Sequence, residues 1–193
     1  MKWIVIGIIA CLVPYTWLTL AYRKEGPAHQ PYQDNKDRAQ VLRLLGSGFN
    51  RIDLSIAILV DPPVPPPETA RTEKLAGGLP PLLRDLLIDP PPMPSSLPIV
   101  SAPPSGLIGA PYTFSFACAQ PDRDERPTTA TLYRRDTELV VIVGYDTNPG
   151  ELQSRRLDAF ADVGIPAHTL EPGSYQITLL GSLESRRWRI EML

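Results

Sequence analysis

The sequence predicts a single-pass membrane anchor followed by an α+β fold in three parts: a juxtamembrane helix and strand, a proline-rich connector, and a small β-rich C-terminal domain. Three observations predict it. Residues 3–20 carry no charge. Fifteen of the 23 prolines fall between Pro62 and Pro111. After Pro111 the chain turns to short segments that alternate apolar and polar residues, the period of half-buried strands. The expected division is 1–24 anchor, 25–60 juxtamembrane helix and strand, 61–110 connector, and 111–193 C-terminal domain.

The anchor is the run WIVIGIIACLVPYTWLTL, from Trp3 to Leu20. About 20 helical residues cross the ~30 Å hydrocarbon core of a bilayer. Trp3 stands at one end, Trp17 and Tyr22 toward the other, as interfacial aromatics do. Arg23 and Lys24 stop the span. Pro14 lies inside it, which a spanning helix tolerates as a kink. Three competing readings are weaker. A cleaved signal peptide needs a core of about 7–15 residues, and Thr19-Leu20-Ala21 is a poor cleavage site. Ile8-Ile9-Ala10-Cys11 has the outline of a lipobox, but the apolar run continues past Cys11. A buried soluble helix seldom carries so long an uncharged stretch. Lysine and arginine counts favour a cytoplasmic C-terminal domain. A very short tail before the anchor favours an exported one. The side stays open.

Past the juxtamembrane link, Asp34 is the expected N-cap of a helix, with Asp37 in its first turn. Ala39, Val41, Leu42, Leu44 and Leu45 supply an apolar face. Gly46-Ser47-Gly48 ends it. In Arg51–Val60, Ile52, Leu54, Ile56 and Ile58 alternate, and the second half is apolar on both faces, so a covered strand is expected. Whether this strand joins the C-terminal sheet is left open by the sequence.

Proline in the connector favours polyproline II and turns. Two short helices are expected within it, near residues 68–76 and 81–88. Leu82, Leu83, Leu86 and Leu87 are too apolar for a free spacer, and they are the candidate partner-docking residues. They dock either on the C-terminal domain or on a partner.

In the C-terminal domain, Tyr112, Phe114, Phe116 and Cys118 share a strand face. Residues 130–134 form a shorter strand. The continuous apolar run Glu138–Gly144 suits a central strand covered on both faces. A helix is expected over Gly150–Ala161, ended by Gly164 and Pro166. Strands over residues 175–180 and 186–192 close the chain. This β-β-β-α-β-β order fits an α+β domain or a sandwich with one inserted helix. The turn Glu171-Pro172-Gly173-Ser174 into Tyr175 resembles the final hairpins of immunoglobulin-like modules, over about twenty residues. So short a stretch assigns no family; an immunoglobulin-like sandwich is one form open to the β-rich domain.

Chemistry is sparse. The net charge of −2 gives no general attraction to nucleic acid. The two cysteines, Cys11 and Cys118, sit in unrelated segments, so no disulfide framework is expected. Only His29 and His168 are present, and no zinc spacing exists, so no metal or other cofactor is expected. Cys118 paired with His168 would be a nucleophile and base, but Cys118 reads better as a small core residue. Gly46-Ser47-Gly48 lacks the later glycine and lysine of a phosphate loop. Asp122, Asp124 and Glu125 are interrupted by Arg123 and Arg126 and lack the pattern of a calcium loop. Arg187 and Arg189 share one face of the last strand and form the candidate basic surface, toward lipid phosphate or an acidic partner. The expected function is therefore not enzymatic. It is an accessory, scaffold or assembly subunit of a membrane or cell-envelope complex, with bilayer and protein as partners. The alternative is a membrane-tethered ligand-binding or sensing domain on a proline-rich stalk.

Overall fold

The apolar run after Glu138 forms the middle of the structure. In the computed structural model it is a strand of ten residues, Glu138–Thr147. Leu139, Val141, Val143 and Tyr145 enter one core, whereas Val140 and Ile142 enter a second core on the opposite face. A strand apolar at every position needs cover on both sides, and it has both. The structure describes residues 2–3, 12–17, 31–62, 65–89, 91–120, 125–147 and 158–193.

Two units are distinguished, Met1–Asp37 and Arg38–Leu193. In the first, residues 2–3 and 12–17 are helical. Most of the expected anchor lies outside the described residues. Among the described residues no helix is long and apolar enough to cross a membrane. Helix α1 runs Pro31–Gly46, beginning three residues before the expected cap at Asp34, with proline in the first turn where its missing N–H costs nothing.

The end of α1 follows its sequence closely. Gly48 adopts φ 78°, its N–H donates to the Leu45 carbonyl at 3.0 Å, and the Phe49 N–H donates to the Leu44 carbonyl at 2.9 Å. This is the Schellman closure, and its usual apolar clasp is present, because Leu44 and Phe49 share the second core. Of the apolar residues expected to form a buried face, only Leu44 is buried; Val41, Leu42 and Leu45 are exposed.

The second unit is a curled, ten-stranded sheet. Its strands are β1 Asn50–Leu59, β2 Glu73–Ala76, β3 Ile99–Ser101, β4 Ser105–Gly106, β5 Tyr112–Ala119, β6 Glu125–Arg135, β7 Glu138–Thr147, β8 Asp158–Ile165, β9 Gly173–Leu179 and β10 Glu184–Met192. The order across the sheet is β2-β10-β9-β7-β6-β1-β8-β5-β3, with β4 beside β10. A short helix, α2, spans Pro81–Leu86. Strand β1 joins two arms of this sheet. Residues Asn50–Leu54 pair with β6, and Ser55–Leu59 pair with β8. The arms curl so that β10 faces β5: the rings of Trp188 and Phe114 meet edge-on at 5.1 Å. The Trp188 indole N–H donates to the Tyr112 hydroxyl at 3.3 Å, and that hydroxyl donates to the Pro103 carbonyl at 2.8 Å.

Several expectations are corrected. The helix expected over Gly150–Ala161 is strand β8 from Asp158 onward; residues 150–157 lie outside the described residues. Ala159, Ala161, Val163 and Ile165 all face the first core, so the segment obeys the strand period, although alanine and aspartate are poor strand formers. Strand β1 is not covered on both faces over its second half: Ile56 packs against the first core, whereas Ala57 and Ile58 are exposed. Residues 68–76 hold no helix but end in β2. Strands β7 and β9 lie parallel, a departure from the paired antiparallel sheets of an immunoglobulin-like module.

The sequence leaves open whether the strand within residues 25–60 joins the C-terminal sheet; in the structure β1 pairs with β6 and β8. The described residues from Arg38 onward cluster as one unit, so β1 and the connector pack with the strands that follow Pro111. Proline removed ladder donors, but the connector found other partners. Gly77 and Gly78 donate to the carbonyls of Leu183 and Gly181, while Ser182 and Leu183 donate to those of Pro94 and Ser95. The connector thus grips the β9–β10 turn from two sides. Gly181 permits both the tight turn and this approach, because a Cβ there would collide with the Glu184 carbonyl across the turn and crowd the Pro94 carbonyl of the connector at 3.0 Å.

Arg186 fastens the same region. It is buried, its Nε donates to the Leu97 carbonyl at 2.8 Å, and one terminal nitrogen donates to Pro98 at 3.0 Å. Glu184 balances its charge at 3.1 Å. Charged hydrogen bonds of this kind contribute about 1.5–3 kcal/mol each. Arg186→Met is expected to destabilise the domain by about 3 kcal/mol, a fall of roughly 6–12 °C in Tm. Thermal unfolding of the full chain in detergent checks this; an unchanged Tm would show that the connector holds without the arginine.

Candidate interaction surface

The outer face of the larger arm changes character along its strands. At one end Leu180, Ile142, Val140 and Tyr133 form an apolar floor. Helix α2 covers it because Leu83 and Leu87, one turn apart, both point down; Leu83 is completely buried. Each such leucine contributes about 1.5–3 kcal/mol by leaving water. Leu86 is half-buried at the margin. Leu82, on the adjacent side of the turn, is 54% exposed. The four candidate docking leucines therefore divide: Leu83 and Leu87 dock within the chain, and Leu82 stays available.

Toward the other end the face is polar. Register places residues in rows across the strands. Glu73, Arg187, Thr178 and Val140 form one row. Arg189, Gln176, Glu138 and Arg135 form the next. Extending the β2–β10 register by two residues brings Arg71 opposite Arg189. A cleft of ≈ 330 Å³ opens here, lined by Arg71, Glu73, Gln176, Arg187, Trp188 and Arg189. Arg187 is steadied by Thr178, to whose hydroxyl its Nε donates at 3.4 Å. Arg187 and Arg189 share a face, as expected from alternation, while Arg186 and Trp188 turn inward.

A second depression, ≈ 190 Å³, lies between α2 and these rows. Phe49, Pro80, Leu82, Leu83 and Val140 supply its apolar side, and Gln176, Thr178 and Arg187 its polar side. Arg135 forms the far rim, held over the Phe49 ring at 5.1 Å and paired with Glu138 at 3.5 Å. Gln176 and Arg187 line both depressions, so the two adjoin. The structure thus brings together two candidates about a hundred residues apart in sequence, Leu82 and Arg187. Sequence reasoning missed Arg71, Gln176 and Phe49 in this surface. Their contribution depends on strand register, which no local pattern carries.

The candidates for chemistry do not converge. Cys118 is fully buried in the first core. Burial pushes its thiol pKa up; a hydrogen bond with Tyr145 pulls it down, and the Asp158 carboxylate raises it again. That is the opposite of what a nucleophile needs. His168 is exposed in the turn after β8, at φ 61°, its backbone N–H donating to Ile108. Asp122 and Asp124 lie outside the described residues, and Glu125 begins β6. Among the described residues no cluster of three or more His, Cys, Asp or Glu side chains is placed to hold a metal ion.

Comparison with known proteins gave no match: no family model and no curated protein matches the sequence, and no solved structure matches the fold.

Proposed function

We infer that the chain is a non-enzymatic accessory or scaffold subunit of a membrane or cell-envelope complex, tethered by residues 3–20 and binding protein through the outer face of β9, β10 and α2. The observation that carries this is the pair of adjoining depressions that sets exposed Leu82 beside Arg187 and Arg187 beside Arg189. An apolar anchor point flanked by guanidinium groups is the composition that protein interfaces favour. The uncharged N-terminal run supports the tether.

The test is fractionation of native membranes followed by purification in mild detergent. The chain is expected to resist alkaline carbonate extraction and to carry other membrane proteins with it in fixed ratio. Extraction by carbonate overturns the tether, and purification alone overturns the scaffold role. A second reading, a tethered ligand-binding domain, has one observation in its favour. A cleft of ≈ 490 Å³ beside β1 and β6, lined by Arg51, Asp53, Thr129 and Tyr133 among others, is of small-molecule size. That reading expects a small molecule to raise the melting temperature of the chain with no protein bound.

A further inference from the structure

We propose that the groove across β2, β10, β9 and α2 binds an extended acidic segment of a partner protein, with one apolar side chain seated beside Leu82 and carboxylates on Arg187, Arg189 and Arg71. This deepens, and rests on, the reading of the domain as an interaction module.

The shape selects an extended chain. Neither depression closes over its contents, and the two adjoin at Gln176 and Arg187. Enclosure is what a small ligand needs to bury most of its surface. A segment lying along an open groove instead spreads its contacts over several strands, spaced about 4.8 Å apart. The smaller depression, ≈ 190 Å³ and apolar on one side, has room for a single side chain of the size of leucine or phenylalanine.

Charge selects the sign. Three guanidinium groups surround the larger depression against one carboxylate, Glu73, in a chain whose net charge is −2. Among the described residues the guanidinium groups of Arg71 and Arg189 have no ion-pair or hydrogen-bond partner. Arginine forks match carboxylates bidentately and are weakly hydrated, so they suit a protein contact that must shed water. Arg187 is half-buried and already oriented by Thr178, which lowers the cost of ordering it.

A peptide also fits better than a bilayer surface. Glu73 and Glu138 stand in the same two rows as the arginines. An anionic lipid surface would repel both. A peptide places its carboxylates only where arginines stand. The apolar site, moreover, is sunk between α2 and the sheet, where a flat surface does not reach.

The experiment titrates the full chain, in neutral detergent micelles, with a fluorescent peptide of alternating glutamate and glycine around one central leucine. Saturable binding is expected, lost in about 1 M salt, where the Debye length falls to about 3 Å. Arg187→Glu with Arg189→Glu is expected to weaken it by about tenfold or more, and Leu82→Ser by about fivefold, the range of interface anchor residues. A peptide with serine in place of leucine is expected to match the Leu82→Ser loss. Leu82→Ser should keep the wild-type Tm, since Leu82 is exposed; Arg189→Glu alone, also at an exposed position, should keep it too and still weaken binding, which separates loss of charge from loss of fold in the double variant. Absence of peptide binding, or binding indifferent to the charge reversal, overturns the proposal. So does preferential retention of phosphatidylglycerol-doped micelles by the same arginines. If membrane partners still co-purify with the charge-reversed chain, the groove is wrong and the accessory role stands.

Discussion

A fragment of residues 105–193 is expected not to fold, whereas residues 31–193 are expected to unfold in one cooperative transition. The shorter fragment keeps most of the strands that the sequence displays clearly, β5, β7 and β10 among them. It lacks β1, whose ten residues pair on two sides and join the arms of the sheet. Without β1, the facing edges of β6 and β8 lose their ladder partners, and unpaired buried backbone is costly. It also lacks Leu44, Phe49, Leu79, Leu83 and Leu87, more than half of the second core, so Val140 and Ile142 would meet water. Circular dichroism and thermal unfolding of the two fragments decide the matter. A cooperative transition in 105–193 would show that β1 and the connector are appendages.

Changing Leu83 and Leu86 together to serine is expected to lower the melting temperature of the full chain sharply. Leu83 is completely buried and Leu86 packs at the margin of the same cluster. Truncating a buried leucine costs about 2–5 kcal/mol, and an unpaired hydroxyl adds to it. With the smaller share from Leu86, the expected fall in Tm is roughly 10 °C or more. Leu82→Ser should leave the Tm within about 2 °C, the scale of surface substitutions. An unchanged Tm in the double variant would show that α2 is not seated on the sheet and that its leucines serve a partner instead.

Much of the domain was legible residue by residue. The aromatic alternation of Tyr112–Cys118, the two-faced run of β7 and the glycine stop after α1 each carry their structure in a local pattern. Strand β8 was hidden because two of its inward residues are alanines while its outward ones include Phe160, so the apolar contrast that marks a strand is weak. The connector was hidden for a different reason. Proline density indicates what a segment cannot do within a ladder, but not that Arg186 and the β9–β10 turn, about ninety residues later, will satisfy its carbonyls. The interaction surface shares that origin. Arg187 and Arg189 show as a pair in the sequence; Arg71 joins them only through the β2–β10 register.

The functional reading rests on one face of the larger arm being the one a partner covers. A photo-crosslinking amino acid placed singly at Leu82, Arg189 or Thr113, in the full chain in native membranes, tests this most directly. Leu82 and Arg189 flank the groove, while Thr113 is exposed on β5 in the other arm. The expected result is one discrete cross-linked protein shared by positions 82 and 189 and absent at 113. Equal products at all three positions, or a product at 113 alone, would contradict the assignment.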